Sequence, residues 1–141
     1  MPPRVVVDTN VFVGALIGRE GHNRQVLRAC LLGRIHPLMG QALFTEYQAV
    51  LSRDLDSKSP LSLGERAELF EAFLHVCTWV QVYYSWRPNL RDEGDNHVLE
   101  LAIAGRASAV VTNNISDFAQ GNLIFPEIQI LTPAHFLKEM S

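Results

Sequence analysis

Apolar positions along the 141-residue chain fall into short runs that alternate between two spacings. "RVVVD" (4–8) opens with three valines and predicts a buried strand. Residues 10–17 predict a short helix that stops at Gly18 and the polar "GREGHN" loop. Over 23–33, Val26, Leu27, Cys30 and Leu31 recur at helical spacing up to Gly33. "RIHPLMG" predicts a brief strand whose extent Pro37 puts in question. "QALFTEYQAVLSR" predicts an amphipathic helix and "DLDSKSPLS" a loop. Ser62 and Glu65 form a capping-box pattern that opens a helix reaching about Val76. "WVQVYY" predicts a strand, "SWRPNLRDEG" a long polar loop, and Asp95 to Ala104 a helix closed by Gly105. "SAVVT" predicts a strand, "NNISDF" a tight turn, "EIQIL" a last strand and "TPAHFLKEM" a last helix with Pro133 at its first position.

Strands alternating with helices predict an α/β fold whose mostly parallel sheet, of four to five strands, is covered on both faces. With no internal repeat, low-complexity tract or linker, residues 1–141 are expected to form a single domain. In such folds the carboxyl ends of the strands and the amino ends of the following helices share one edge, where ligands bind. Asp8 ends the first strand, and Glu46 lies in the first turns of the helix after the second. Asp92 and Asp95 open the helix after "WVQVYY", and Asp117 lies just past "SAVVT". All five acids therefore fall on that edge. Each alone has an ordinary explanation: helix caps for Asp8 and Asp95, a solvated surface position for Glu46, an Asx-turn for Asp117. Capping does not require a glutamate on a helix flank or two acids three residues apart.

Composition changes this picture little. Hydrophobic residues make up 48%, enough for a core, and no apolar run is long enough to span a bilayer. "MPPRVVV" has no stretch resembling a secretory signal, so the chain is expected in the cytoplasm without membrane contact. Cys30 and Cys77 sit in apolar patterns and are expected to be reduced core residues. Net charge is −3, which advertises no global nucleic-acid field, though a basic rim can surround an acidic centre. Lys58 and Lys138 are the only lysines; the arginine bias suits phosphate contacts and equally suits GC-rich coding.

Carboxylates crowded together must take up protons or bind a cation. The donors at this edge are hard oxygens: Asp, Glu, Asn10, Thr112 and Asn114. They suit Mg²⁺ or Mn²⁺, and no Cys/His spacing suggests zinc. Such clusters most often serve chemistry on phosphate. His97, two residues past Asp95, could reach a substrate, although a solvated helix position is the more ordinary expectation.

Taken together, "VVVDTNVFVGAL", Glu46, "RDEGDNHVLELA", "VVTNNISDF" and the closing "ILTPAHFL" resemble the PIN-domain nucleases, and among them the VapC-like toxin components of toxin–antitoxin pairs. By resemblance the family's acids map to Asp8, Glu46, Asp95 and Asp117, with Asp92 as an extra aspartate of the subgroup and the Thr-x-Asn turn on Thr112 and Asn114. The resemblance implies a three-layer α/β/α sandwich, metal-dependent cleavage of RNA, a homodimer and neutralisation by a small antitoxin protein. Asp8, Asp95 and Asp117 would then hold the principal Mg²⁺ or Mn²⁺, and Glu46 and Asp92 would orient a water or complete a second site. Thr9, Asn10, Thr112 and Asn114 would tie the carboxylates down, and Arg19, Arg87 and Arg91 would meet flanking phosphates. Two departures stand out: Asn114 where some relatives carry aspartate, and Glu93 where proline is usual.

Other acid-edged folds fit worse. Receiver domains need a lysine that this chain, with only Lys138 after Thr112, does not supply; aspartyl phosphatases need Asp-x-Asp-x-Thr, where Asp8 is followed by Thr9, Asn10 and Val11. A module that binds RNA or protein with little or no catalysis is the remaining alternative.

Overall fold

The structure is a computed structural model, and it describes residues 2–18, 21–53, 58–82, 96–118 and 127–140. β1 (Arg4–Val7) leads into α1 (Thr9–Ile17) and α2 (His22–Leu31); β2 (His36–Met39) leads into α3 (Gln41–Leu51) and α4 (Leu63–Val76). β3 (Thr78–Trp79) precedes α5 (Asn96–Ala104), β4 (Ala109–Val111) precedes a 3₁₀ turn (Ile115–Phe118), and β5 (Gln129–Leu131) precedes α6 (Pro133–Met140). The five strands form one sheet in the order β3-β2-β1-β4-β5, with every pairing parallel. Successive strand residues face opposite sides, yet Val5, Val6 and Val7, like Val110 and Val111, are all buried. Both faces are therefore covered, giving the expected three-layer α/β/α arrangement.

The order places a topological switch between β1 and β4. The chain steps outward from β1 through β2 to β3, then returns to the other side of β1 for β4. A crevice opens at the carboxyl edge of such a pair because the connections from the two strands leave in opposite directions.

Several local signals act as predicted. Ser62 accepts from the Glu65 N–H at 3.1 Å while Glu65 accepts from the Ser62 N–H at 2.9 Å, completing the capping box. This double bond holds the exposed Glu65 carboxyl below its ordinary range. α6 starts on Pro133, with Thr132 Oγ1 accepting from the His135 N–H at 3.1 Å. Cys30 and Cys77 are free thiols; burial pushes Cys30 up to about 12.

Other expectations need correction. Of the described residues of "WVQVYY", only Trp79 lies in a strand; the Val80 N–H still bonds to Met39 O at 2.7 Å, residues 81–82 are irregular, and Tyr83 and Tyr84 lie outside the described residues. Pro37, in contrast, sits in an interior strand opposite Val5. The His36 N–H bonds to Pro3 O on the β1 side, so alternation turns the Pro37 nitrogen toward β3. Pairing with β3 begins only at Leu38 and Thr78, so the proline removes no ladder bond. After α5, Arg106 rather than Gly105 takes the left-handed backbone (φ 56°). Gly105 serves close packing instead: a Cβ there would stand 2.5 Å from Leu38 Cδ1.

Between α1, α3 and α4 the core is aromatic. Phe12 packs edge-on to Tyr47 and Phe70, and Tyr47 stacks on Phe70 at 5.6 Å between ring centres. The Tyr47 hydroxyl donates to Val7 O at 2.8 Å, which pins α3 to the last residue of β1.

Candidate functional site

The site grows from the end of β1. Asp8 has extended backbone (φ −66°, ψ 150°) and its Oδ1 accepts from the Thr9 N–H at 2.8 Å, capping α1. Capping occupies one carboxylate oxygen only. Oδ2 accepts from Thr112 Oγ1 at 2.8 Å and from Asn10 Nδ2 at 3.3 Å. Thr112 directly follows β4, so this bond closes the crevice at the switch point. Thr112 Oγ1 also accepts from the Asn114 N–H at 3.0 Å and from Asn10 Nδ2 at 3.3 Å. Three donors thus fix the Asp8 carboxylate, which is only 4% exposed.

α3 brings Glu46 alongside. Its Oε1 accepts from Thr9 Oγ1 at 3.4 Å, and its Oε2 stands 2.8 Å from His97 Nε2 on α5. The imidazole and the carboxylate meet as an ion-pair approach without hydrogen-bond alignment. Glu46 Oε2 and His97 Nδ1 are buried and have no hydrogen-bond partner among the described residues. His97, expected to face solvent, is therefore part of the site's wall.

Electrostatics follow from this burial. Desolvation pushes the Asp8 carboxyl above its ordinary value of 3.8, and the charge of Glu46 pushes the same way. Hydrogen bonds from Thr112 and Thr9, and the neighbouring His97, pull it back down without cancelling the rise.

The expected site residues divide cleanly. Asp8, Thr9, Asn10, Glu46 and Thr112 come together, and Asn114 joins through its backbone N–H, its side chain being exposed. Asp117 is half-buried in the 3₁₀ turn that follows β4, its N–H bonded to Asn114 O at 3.2 Å. Among the described residues, no three His, Cys, Asp or Glu side chains are grouped closely enough to hold a metal ion. Asp92, Asp95, Arg19, Arg87 and Arg91 lie outside the described residues.

Three contributors escaped the sequence. Tyr47 read as an apolar stripe residue, yet its hydroxyl holds the carbonyl just before Asp8. Asn113 donates to Asn10 Oδ1 from its backbone at 3.1 Å and to Asn23 Oδ1 from its side chain at 3.1 Å. A Cβ on Gly14 would overlap the Asn23 amide, so the glycine lets α2 approach α1 closely enough for this chain of amides. The repeated asparagines at 113 and 114 were the available signal, masked by their ordinary use in turns.

Thr112→Val tests how the carboxylate is held. Valine keeps the volume, but Asp8 Oδ2 loses a charge-assisted bond and two donors lose their acceptor. A destabilisation of about 2 kcal/mol is expected in urea unfolding. If the pocket binds a divalent ion, affinity should also fall by about 10- to 100-fold. Unchanged stability would mean that water replaces the hydroxyl.

Comparisons with known proteins agree with the fold. A family model described as "PIN domain" matches residues 4–116. A comparison with curated proteins gives no match. Among solved structures, a crystal structure of VapBC2 from Rickettsia felis, bound to a DNA fragment from their promoter, is similar with a TM-score of 0.57. It is 17% identical, and the match covers 90% of this chain and 96% of that one. At that identity the likeness is one of fold.

Proposed function

The chain belongs to the PIN-domain family, and from that premise we propose that it is a cytoplasmic, divalent-metal-dependent endoribonuclease, the toxin of a toxin–antitoxin pair. The observation that carries this is the Asp8 carboxylate, buried at the switch point, fixed by Thr112 and set beside Glu46. Nature seldom keeps two carboxylates so close without a positive partner. The fold likeness to VapBC2 supports a small antitoxin protein as partner, and we take a homodimer as the working form. Free cysteines suit a reducing compartment, and no helix among the described residues is long and apolar enough to cross a membrane.

The residues fit Mg²⁺ or Mn²⁺. Glu46 Oε2, which has the His97 ring at 2.8 Å but no hydrogen bond, and the desolvated Asp8 carboxyl are hard donors that a cation would satisfy. Asp8 and Glu46, with Asp95 and Asp117, would hold one or two ions, and Asp92 would complete a second site. When bound, such an ion lowers the pKa of water and neutralises charge that builds on phosphate oxygens. The chain's own residues do the rest. Thr112 and Asn10 keep Asp8 ionised and aimed by donating to Oδ2. Thr9 holds Glu46 by Oε1, and Oε2, 2.8 Å from His97 Nε2, would help to orient a water. Arg19, Arg87 and Arg91 would hold phosphates on either side.

Purified protein incubated with single-stranded and structured RNAs should cut in Mg²⁺ or Mn²⁺ and stop cutting in EDTA. Manganese should also raise the melting temperature: at a hundred times its Kd the mass-action gain is about 2.7 kcal/mol. Melting indifferent to millimolar Mn²⁺ counts against the site. RNA binding with no cleavage in either metal would favour a binding module, a reading that the exposed amide of Asn114 supports.

A further inference from the structure

A cleft of about 650 Å³ opens where β2 and β3 end and α3 and α5 begin. Trp79, Gln81, Val82, His97 and Glu100 contribute to its lining. Trp79 is 50% exposed, although an indole normally seeks burial, and Val82 beside it is 40% exposed. Phe44 braces the indole edge-on at 5.9 Å, leaving a firm aromatic surface turned to the cleft. The cleft adjoins the site, because His97 is both a cleft wall and the neighbour of Glu46.

Its chemistry says which part of a nucleotide would enter. No arginine or lysine lines the cleft among the described residues, and Glu100 does. The described lining thus offers a phosphate no cationic partner. An uncharged, flat, hydrogen-bonding group needs none. The volume falls in the range of small-molecule pockets, enough for a splayed base with its sugar and too small for a duplex. Stacking on an aromatic side chain is the usual way to hold such a base.

We propose that this cleft is a nucleobase subsite, in which a nucleotide flanking the scissile phosphate of single-stranded RNA stacks on Trp79. The proposal rests on the nuclease reading for its substrate, and binding can be measured apart from cleavage. The chain holds two tryptophans, so Trp86→Phe leaves Trp79 as the sole reporter. A short oligoadenylate titrated in EDTA should quench its fluorescence, and the same sequence as a duplex should not. Trp79→Ala should weaken binding about tenfold, while Trp79→Phe keeps most of it. The salt dependence should be unchanged by Trp79→Ala, because the indole meets a base and not a phosphate. In manganese, KM for single-stranded RNA should rise with kcat kept. Quenching without cleavage in any metal supports the subsite and sinks the nuclease. Cleavage with no quenching, and with Trp79→Ala cutting like the parent, overturns the subsite and leaves the nuclease standing. If Trp79→Ala instead turns a dimer into a monomer while oligonucleotide binding stays unchanged, the face serves self-association and the proposal falls.

Discussion

Asp8→Asn should lower metal-dependent RNA cleavage by about a thousandfold while leaving the fold at least as stable as before. Asparagine keeps the shape of the side chain: its amide oxygen can still accept from the Thr9 N–H, so the cap survives, and its NH2, standing where Oδ2 was, can donate to a turned Thr112 hydroxyl across the crevice. What disappears is a buried negative charge. Burial and Glu46 raise the folded-state pKa of Asp8 above 3.8, so over the interval above that value the native protein holds more protons than the unfolded chain. By linkage, stability is greatest below that interval, declines as pH rises through it, and stays lowered beyond it. In EDTA, melting curves between pH 4 and 7 should therefore fall more steeply for the parent than for Asp8→Asn. With saturating Mn²⁺ the order should reverse, because only the parent gains from the ion. A variant that cuts as fast as its parent would expose a contaminating nuclease and remove Asp8 from the chemistry.

Phe12→Ala should produce the largest loss of stability, about 4 kcal/mol. The side chain is 1% exposed and lies 5.5 Å from Tyr47, 5.8 Å from Phe70 and 5.2 Å from Phe73, ring centre to ring centre. Truncation removes the transfer energy of the ring and leaves a void that helices on three sides cannot readily close. Domains of this size are stable by about 5–15 kcal/mol, so the variant would sit near the threshold. Tyr47 would lose a neighbour that fixes its ring, and with it the bond to Val7 O. The denaturation midpoint should drop with an unchanged m-value. A shift worth less than about 1 kcal/mol would show that the cluster repacks and that the Tyr47 anchor stands on its own.

Local chemistry in the sequence was legible wherever one segment settles its own conformation. The Ser62–Glu65 box, Pro133 at the start of α6 and the valine run of β1 each depend on neighbours a few residues away. Asp8 was legible because a carboxylate directly after three valines is costly without a purpose. Contacts made by folding were hidden. Nothing near His97 in the chain announces Glu46, 51 positions earlier, as its neighbour. "WVQVYY" has every local mark of a strand, yet among its described residues the strand ends at Trp79 and only the Val80 N–H reaches on to Met39 O. Pro37 looked unsuited to a sheet interior because its tolerance depends on where β3 begins, which is a property of the sheet and not of the segment.

The parallel register has a consequence for synthesis. β1 leaves the ribosome first, but its neighbour β4, paired Val7 to Val111, comes about a hundred residues later. Until then the first strand lacks one partner, and Asp8 lacks the hydroxyl of Thr112. A nascent chain therefore carries Asp8 without its pocket, and whatever that pocket does begins only once β4 and Thr112 have been made.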